Sequence, residues 1–252
     1  MEQPPPTPSN IPWKRVLIEG VVIVASILLA FAIDAWWDRQ TTAGETHQAL
    51  RAIEAELVEN LAYFESAEDV YRVAAQGGAD LLHLTGPEVS VADGEQVSYL
   101  IGEMWRRPDL DPPSTGASAA MVSTGAAARV RSRALRQELA LWPAYIERQQ
   151  ELMLQAGTEN LFHQRMLHFI AQLDFDRING MAAWPEVRAA FTELVPTESQ
   201  FESDWAGLLA DRQFESGVTG RTMLTLSGAE LAARTQTRIE ELLALIREEL
   251  RR

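Results

Sequence analysis

A chain without cysteine leaves histidine, carboxylate, hydroxyl and arginine side chains to do chemistry, and this one holds four histidines in 252 residues. Glu159 and His163 are i,i+4 neighbours on a predicted helix, and His168 follows five residues on. Five residues turn a helix by about 500°, so His163 and His168 do not share a face and a two-histidine metal site is not expected. Di-iron bundles need paired Glu-x-x-His motifs, which this chain lacks. His47 and His83 stand alone, and there is no Gly-rich phosphate loop, Gly-x-Ser-x-Gly elbow or His-Glu-x-x-His motif. Asp109 and Asp111 lie on a Pro-rich loop and read as solvated carboxylates. Arg129, Arg131, Arg133 and Arg136 form a basic cluster. It reads first as a salt-bridged face, second as a docking patch for an acidic partner or for phospholipid headgroups. No catalytic, cofactor-binding or metal-ligating residue is assigned, and an enzyme is the least supported class.

The element that must position everything else is the apolar run over residues 16–37, VLIEGVVIVASILLAFAIDAWW. At about 1.5 Å per residue it covers roughly 33 Å, enough for a hydrocarbon core of about 30 Å. About twelve strong apolar residues favour insertion by roughly 4–7 kcal/mol. Glu19 and Asp34 lie near the ends, where an acid snorkels and costs less than the roughly 2.5–3.5 kcal/mol of a central position. Trp13 precedes the run and Trp36 and Trp37 close it, placing indoles at both interfaces, with Lys14 and Arg15 at one end and Arg39 at the other. The expectation is a transmembrane helix over 13–39. Cleavage as a signal peptide at Ala30-Phe31-Ala32 is the rival. Both readings put the following domain outside the cytoplasm, as does the bias of Lys14 and Arg15 over Arg39.

Glu19, Ile23, Ser26, Ala30, Ile33 and Trp37 follow a 4-3-4-3-4 spacing and share one face. Ser26 and Ala30 make a small-xxx-small pair at mid-membrane, so Glu19, Ile23, Ser26, Ala30 and Ile33 are the candidate helix–helix contact. Glu19 is also a candidate for a proton or ion path.

Formal net charge is −14. Residues 40–252 hold 19 basic and 32 acidic side chains, a balance that repels nucleic acid and anionic lipid headgroups. Lys14 is the only lysine, and absent cysteine excludes a disulfide scaffold.

Residues 1–12 read as a flexible Pro-rich tail and 45–252 as a soluble helical domain of a size that supports a proper core. Thr41-Thr42-Ala43-Gly44 is a plausible break or bend. Beyond it Leu50, Ile53, Leu57, Leu61, Phe64 and Tyr71 recur at helical spacing, with Glu54, Glu56 and Glu59 on other faces, to an end near Leu84. The thirteen residues from Trp37 to Leu50, one short of two heptads, change the phase of the apolar stripe. Asp93 is expected to cap a helix over 95–105 with Val97, Leu100, Ile101 and Met104 inward. Short helices are expected over 117–123, closed by Thr124-Gly125, and over 186–194. A long pattern from Ser132 to Leu173 puts Leu135, Leu139, Trp142, Ile146 and Met153 inward, continuing with Leu161, Met166, Leu167 and Ile170, and Pro143 should kink or end it. A helix from Pro196 to Phe214 would bury Phe201, Trp205, Leu208 and Leu209, and a last one over 221–252 would carry Leu231, Ile239, Leu242, Leu243, Ile246 and Leu250. No run alternates with period two, so the fold class is all-α: an N-terminal transmembrane helix, then a soluble bundle of long and short helices.

Two stretches carry a resemblance. One joins Glu19-Gly20-Val21 through Asp34-Ala35-Trp36-Trp37-Asp38-Arg39 to Leu50-Arg51-Ala52-Ile53-Glu54-Ala55-Glu56-Leu57 and Asn60-Leu61; the other is Ser123-Thr124-Gly125 followed by Leu135-Arg136 and Leu139. The pattern resembles a family of bacterial single-pass membrane proteins with no assigned function. It differs in having Asp34 where a neutral polar residue is common and Ala126-Ala127-Ala128 where larger apolar residues are usual. The resemblance implies an anchored helical domain in the bacterial inner membrane and no catalytic residues. The function expected is a non-catalytic interaction or scaffold module whose partners are the lipid bilayer and a second copy or another membrane protein, with no cofactor. The rivals are an extracytoplasmic ligand sensor and an accessory subunit of a membrane complex.

Overall fold

The computed structural model describes residues 13–108, 113–157, 165–171 and 201–251. Among them every regular element is helical, and the chain divides into two compact units, Met1–Ala49 and Leu50–Arg252. Helix α1, Trp13–Leu82, contributes to both. The expected break at Thr41-Thr42-Ala43-Gly44 does not occur. Thr41 Oγ1 donates to the Trp37 carbonyl at 3.0 Å and Thr46 Oγ1 to the Thr42 carbonyl at 2.8 Å, so the hydroxyls bond back along the helix. A lone Gly44 costs only about 1 kcal/mol against alanine, too little to end a helix flanked by good formers.

In the second unit, Leu50, Ile53, Leu57, Asn60, Phe64, Ala67, Tyr71, Ala74, Gly78 and Leu81 form a buried stripe along α1, with Glu56, Ala75 and Gly77 buried beside it. The steps alternate strictly between three and four residues, the 3.5-residue period of a left-handed supercoil. Asn60 holds the core position, and the expected Leu61 is only half-buried.

Helix α2 is Gly94–Met104, capped as expected by Asp93, whose carboxylate accepts from Glu95 N and Gln96 N. Helix α3 is Gly116–Ser123 and ends at Gly125, which sits at φ 71° in the left-handed region where a Cβ is penalised. A 3-10 turn, Ala126–Arg129, leads to α4, Arg133–Gly157. Pro143 lies inside α4 and does not end it, and Leu135, Leu139, Trp142, Ile146 and Gln149 repeat the 4-3-4-3 spacing inward. Fully burying each large apolar side chain here is worth about 1.5–3 kcal/mol, the same order as the proline penalty of about 3 kcal/mol, so packing holds α4 together across Pro143.

The expected helix from Pro196 to Phe214 is not one element. Helix α5 is Trp205–Leu209 and α6 is Arg212–Leu250, which begins nine residues before the expected Arg221. Two aspartates set these starts: Asp204 accepts from Gly207 N at 2.7 Å and Asp211 from Phe214 N at 2.8 Å. Phe201 is 81% exposed, against the inward position expected, and Leu167 is 62% exposed. The expected helix over 186–194, the side chains of Met153 and Leu161, and the start near Pro196 lie outside the described residues.

Helix α6 carries the same period: Phe214, Val218, Arg221, Thr225, Gly228, Ala232, Thr235, Ile239, Leu242, Ile246 and Glu249 are buried. Two long helices with matching 3.5-residue stripes pack along their length, and here they run antiparallel. Arg247 pairs with Glu54 at 2.7 Å, and Gln236 donates to the Phe64 carbonyl at 3.0 Å and to Glu68 at 2.8 Å. Further along, Gly228 lies against the Tyr71 ring and Gly78 against Thr222. A Cβ on Gly78 would fall 2.2 Å from Thr222 Oγ1, so glycine is what lets the two backbones approach there. Burial pushes the Tyr71 phenol up to about 12.

Helix α4 lies antiparallel to α6, fixed by Arg238–Glu138 at 2.9 Å, by Tyr145 and Thr235 hydroxyls 3.1 Å apart, and by Arg238 over the Tyr145 ring. At the Leu81 end of the second unit, Val97, Leu100, Ile101, Met104, Met166, Ile170, Leu208, Leu209, Phe214 and Val218 close a second core cluster with Leu81. Arg165 makes a two-pronged contact with Asp211 there, which holds the Asp211 carboxyl down to about 2, with help from the Phe214 amide.

Candidate functional site

The sequence-predicted site residues of α1 fall into two groups. Trp13, Lys14 and Arg15 open the helix, and their side chains lie outside the described residues. Trp36 and Trp37 are exposed, with ring centroids 6.4 Å apart and planes tilted by 59°, and Arg39 is exposed beside them. Glu19, Ile23, Ser26, Ala30 and Ile33 are all exposed, and Ser26 Oγ donates to the Val22 carbonyl at 2.8 Å, so its hydroxyl is satisfied within the helix. Leu17, Val21, Val22, Val24, Ile27, Leu28, Leu29 and Phe31 are likewise at least half exposed. One helix among the described residues is therefore long and apolar enough to cross a membrane, with none of its apolar window buried within the protein.

The second unit carries a polar clasp that the sequence did not reveal. Glu56, expected on an outer face, is buried, with 6% exposure. Its carboxylate accepts from Ala117 N at 2.6 Å, from Ser118 Oγ at 2.7 Å and from Ser118 N at 3.3 Å. Thr115, at the N-cap of α3, makes no side-chain capping bond, so Glu56 caps α3 from another helix. One turn on, Asn60 matches the Ser114 backbone on both sides: its Nδ2 donates to the Ser114 carbonyl at 2.7 Å and its Oδ1 accepts from Ser114 N at 2.8 Å. Gln150 donates to the Pro113 carbonyl at 3.1 Å.

A second buried glutamate does the same at the start of α4. Glu249 of α6 accepts from Arg131 N and from Ser132 N, the former at 2.5 Å and the latter at 3.2 Å. Ser132 Oγ caps α4 by accepting from Leu135 N at 3.3 Å. Arg136 turns back to donate to the Val130 and Arg131 carbonyls. A pattern of Glu at i and Asn at i+4 beside a helical stripe is a weak signal in sequence, because its backbone partners lie 54 to 61 residues away.

Of the arginine cluster, Arg129, Arg131 and Arg133 are exposed and Arg136 is half-buried. Arg136 donates to backbone carbonyls. Asp109, Asp111, Glu159 and His163 lie outside the described residues. Among the described residues no three histidines or carboxylates converge to hold a metal. A recess of about 450 Å³ at the Leu81 end is lined by His83, Glu88, Val91, Asp93, Gln96 and neighbours, with the Asp93 carboxylate already committed to the α2 amides. No family model matches the chain, and no curated protein or solved structure is significantly similar to it.

Proposed function

We propose that this chain is a single-pass, membrane-anchored helical interaction module of the bacterial inner membrane, non-catalytic, with its helical domain on the extracytoplasmic side. What supports the reading above all is the run of apolar side chains, each at least half exposed, that includes Leu17, Val21, Ile27, Phe31 and Trp37. In water that surface costs about 25 cal/mol per Å²; in hydrocarbon the cost vanishes and the backbone groups stay satisfied within the helix. Tryptophan at the run's edges and the bias of Lys14 and Arg15 toward one end support the orientation. The buried Glu56, Asn60 and Glu249 of the second unit are spent on holding backbone, as in a structural clasp.

Partner contact runs through Glu19, Ile23, Ser26, Ala30 and Ile33, where small side chains at Ser26 and Ala30 permit close approach of a second helix. The membership in the single-pass family belongs to the same proposal. The test is carbonate extraction of native membranes followed by crosslinking of single-cysteine variants at Ala30, clean in a chain without natural cysteine. Retention in the pellet with a discrete crosslinked species is expected. Release into the supernatant removes the anchor, and a strictly monomeric, partnerless product removes the interaction module.

A further inference from the structure

Charge in the second unit is not spread evenly. At its Leu50 end lie residues 50–57 of α1, 116–136, and 246–251 of α6, brought together by the Glu249 grip on Arg131 and Ser132 and by the Arg247–Glu54 pair. These segments hold seven arginines and four glutamates, and two of those glutamates, Glu56 and Glu249, are buried on backbone amides. At the Leu81 end, residues 78–107, 165–171 and 201–218 hold nine carboxylates and four arginines. Counted over the described residues, a domain that is strongly acidic as a whole is therefore basic at one end.

From Leu50 to Leu81 is about 46 Å along a helix, several times the 8–10 Å over which charge is felt at physiological salt. A surface that meets the Leu50 end feels the arginines and not the distant carboxylates. The Leu50 end is also the one that the chain ties, by thirteen residues, to Trp37 at the close of the apolar run. We infer that the exposed guanidinium groups of Arg131 and Arg133, together with those around them, dock this end of the domain on anionic phospholipid headgroups. The planar fork of each guanidinium suits bidentate contact with phosphate oxygens. Each arginine close to such a surface strengthens the attraction about fivefold. The acidic Leu81 end is repelled by the same surface, which fixes the polarity of the domain upon it.

This inference rests on the anchored reading, and the test separates the two. The full-length chain, with a fluorophore on Cys at Ala128 (A128C), is reconstituted in nanodiscs of phosphatidylcholine with or without phosphatidylglycerol. Energy transfer to headgroup acceptors should be strong only with phosphatidylglycerol, should fall as salt is raised, and should survive R131K/R133K. In R131Q/R133Q the docked-to-undocked ratio should fall at least about tenfold, with thermal unfolding by circular dichroism unchanged. A second label at Ser90 (S90C) should show no transfer in either lipid. Equal transfer from Ala128 in both lipids overturns the docking while leaving the anchor intact. Failure of the protein to co-migrate with the discs overturns the anchor itself.

Discussion

Removing the Glu56 carboxylate tests the clasp most directly. Glu56→Ala leaves two backbone amides without their acceptor in a site that is 6% exposed, and leaves the Ser118 hydroxyl only the Thr115 carbonyl 3.1 Å away. An orphaned buried donor costs about 1–3 kcal/mol, and loss of a helix cap typically about 1 kcal/mol. The three donors share one carboxylate and do not add fully, so the expected loss is about 3–5 kcal/mol. For a domain of this size that lowers the melting temperature by about 6–20 °C. Glu56→Gln keeps one acceptor oxygen and should lose about 1–2 kcal/mol. Urea unfolding of the full-length chain followed by far-UV circular dichroism gives the totals. Hydrogen exchange gives the location: amides 117 and 118 should lose protection before those of α4 and α6. In a double-mutant cycle, Ser118→Ala should cost far less on the Glu56→Ala background than alone. A Glu56→Ala variant within about 0.5 kcal/mol of the parent, with amides 117 and 118 still protected, would refute the clasp.

Three further outcomes follow from the geometry. Gly78→Ala brings a methyl onto Thr222 Oγ1; about 1–3 kcal/mol of overpacking outweighs about 1 kcal/mol of helix propensity, and thermal melts should show the loss shrinking when Thr222→Ala removes the obstructing hydroxyl. Gly125→Ala, at φ 71° with open space around it, should cost about 1–2 kcal/mol by backbone strain alone, with the melting temperature lowered and the helical spectrum unchanged. The Arg165 guanidinium holds Asp211 down to about 2 from its ordinary 3.8. Because the folded value is the lower one, the stabilisation is complete above about pH 4 and is lost as pH falls toward 2. Urea midpoints across that window should fall in the parent and stay flatter in Asp211→Asn, which at neutral pH should already be weaker by about 1–2 kcal/mol.

The all-helical class, the apolar first helix and the α2 cap at Asp93 were legible from the amino acids alone, because each depends on residues within one or two turns of one another. So was most of the inward stripe: Leu50, Ile53, Leu57, Phe64, Leu135, Leu139, Trp142 and Ile146 recur at intervals that permit one buried face. Tertiary packing decided the rest. Asn60 displaced Leu61 from the core because a backbone segment more than fifty residues away matches its amide on both sides. Glu56 and Glu249 went inside because backbone amides at the start of α3 and just before α4 meet their carboxylates as donors. The helix start near Arg212 and the uninterrupted run through Pro143 depend on partners elsewhere in the bundle. Local periodicity records which faces avoid water; which polar groups follow them inside is settled only when distant backbone arrives with the complementary donor or acceptor.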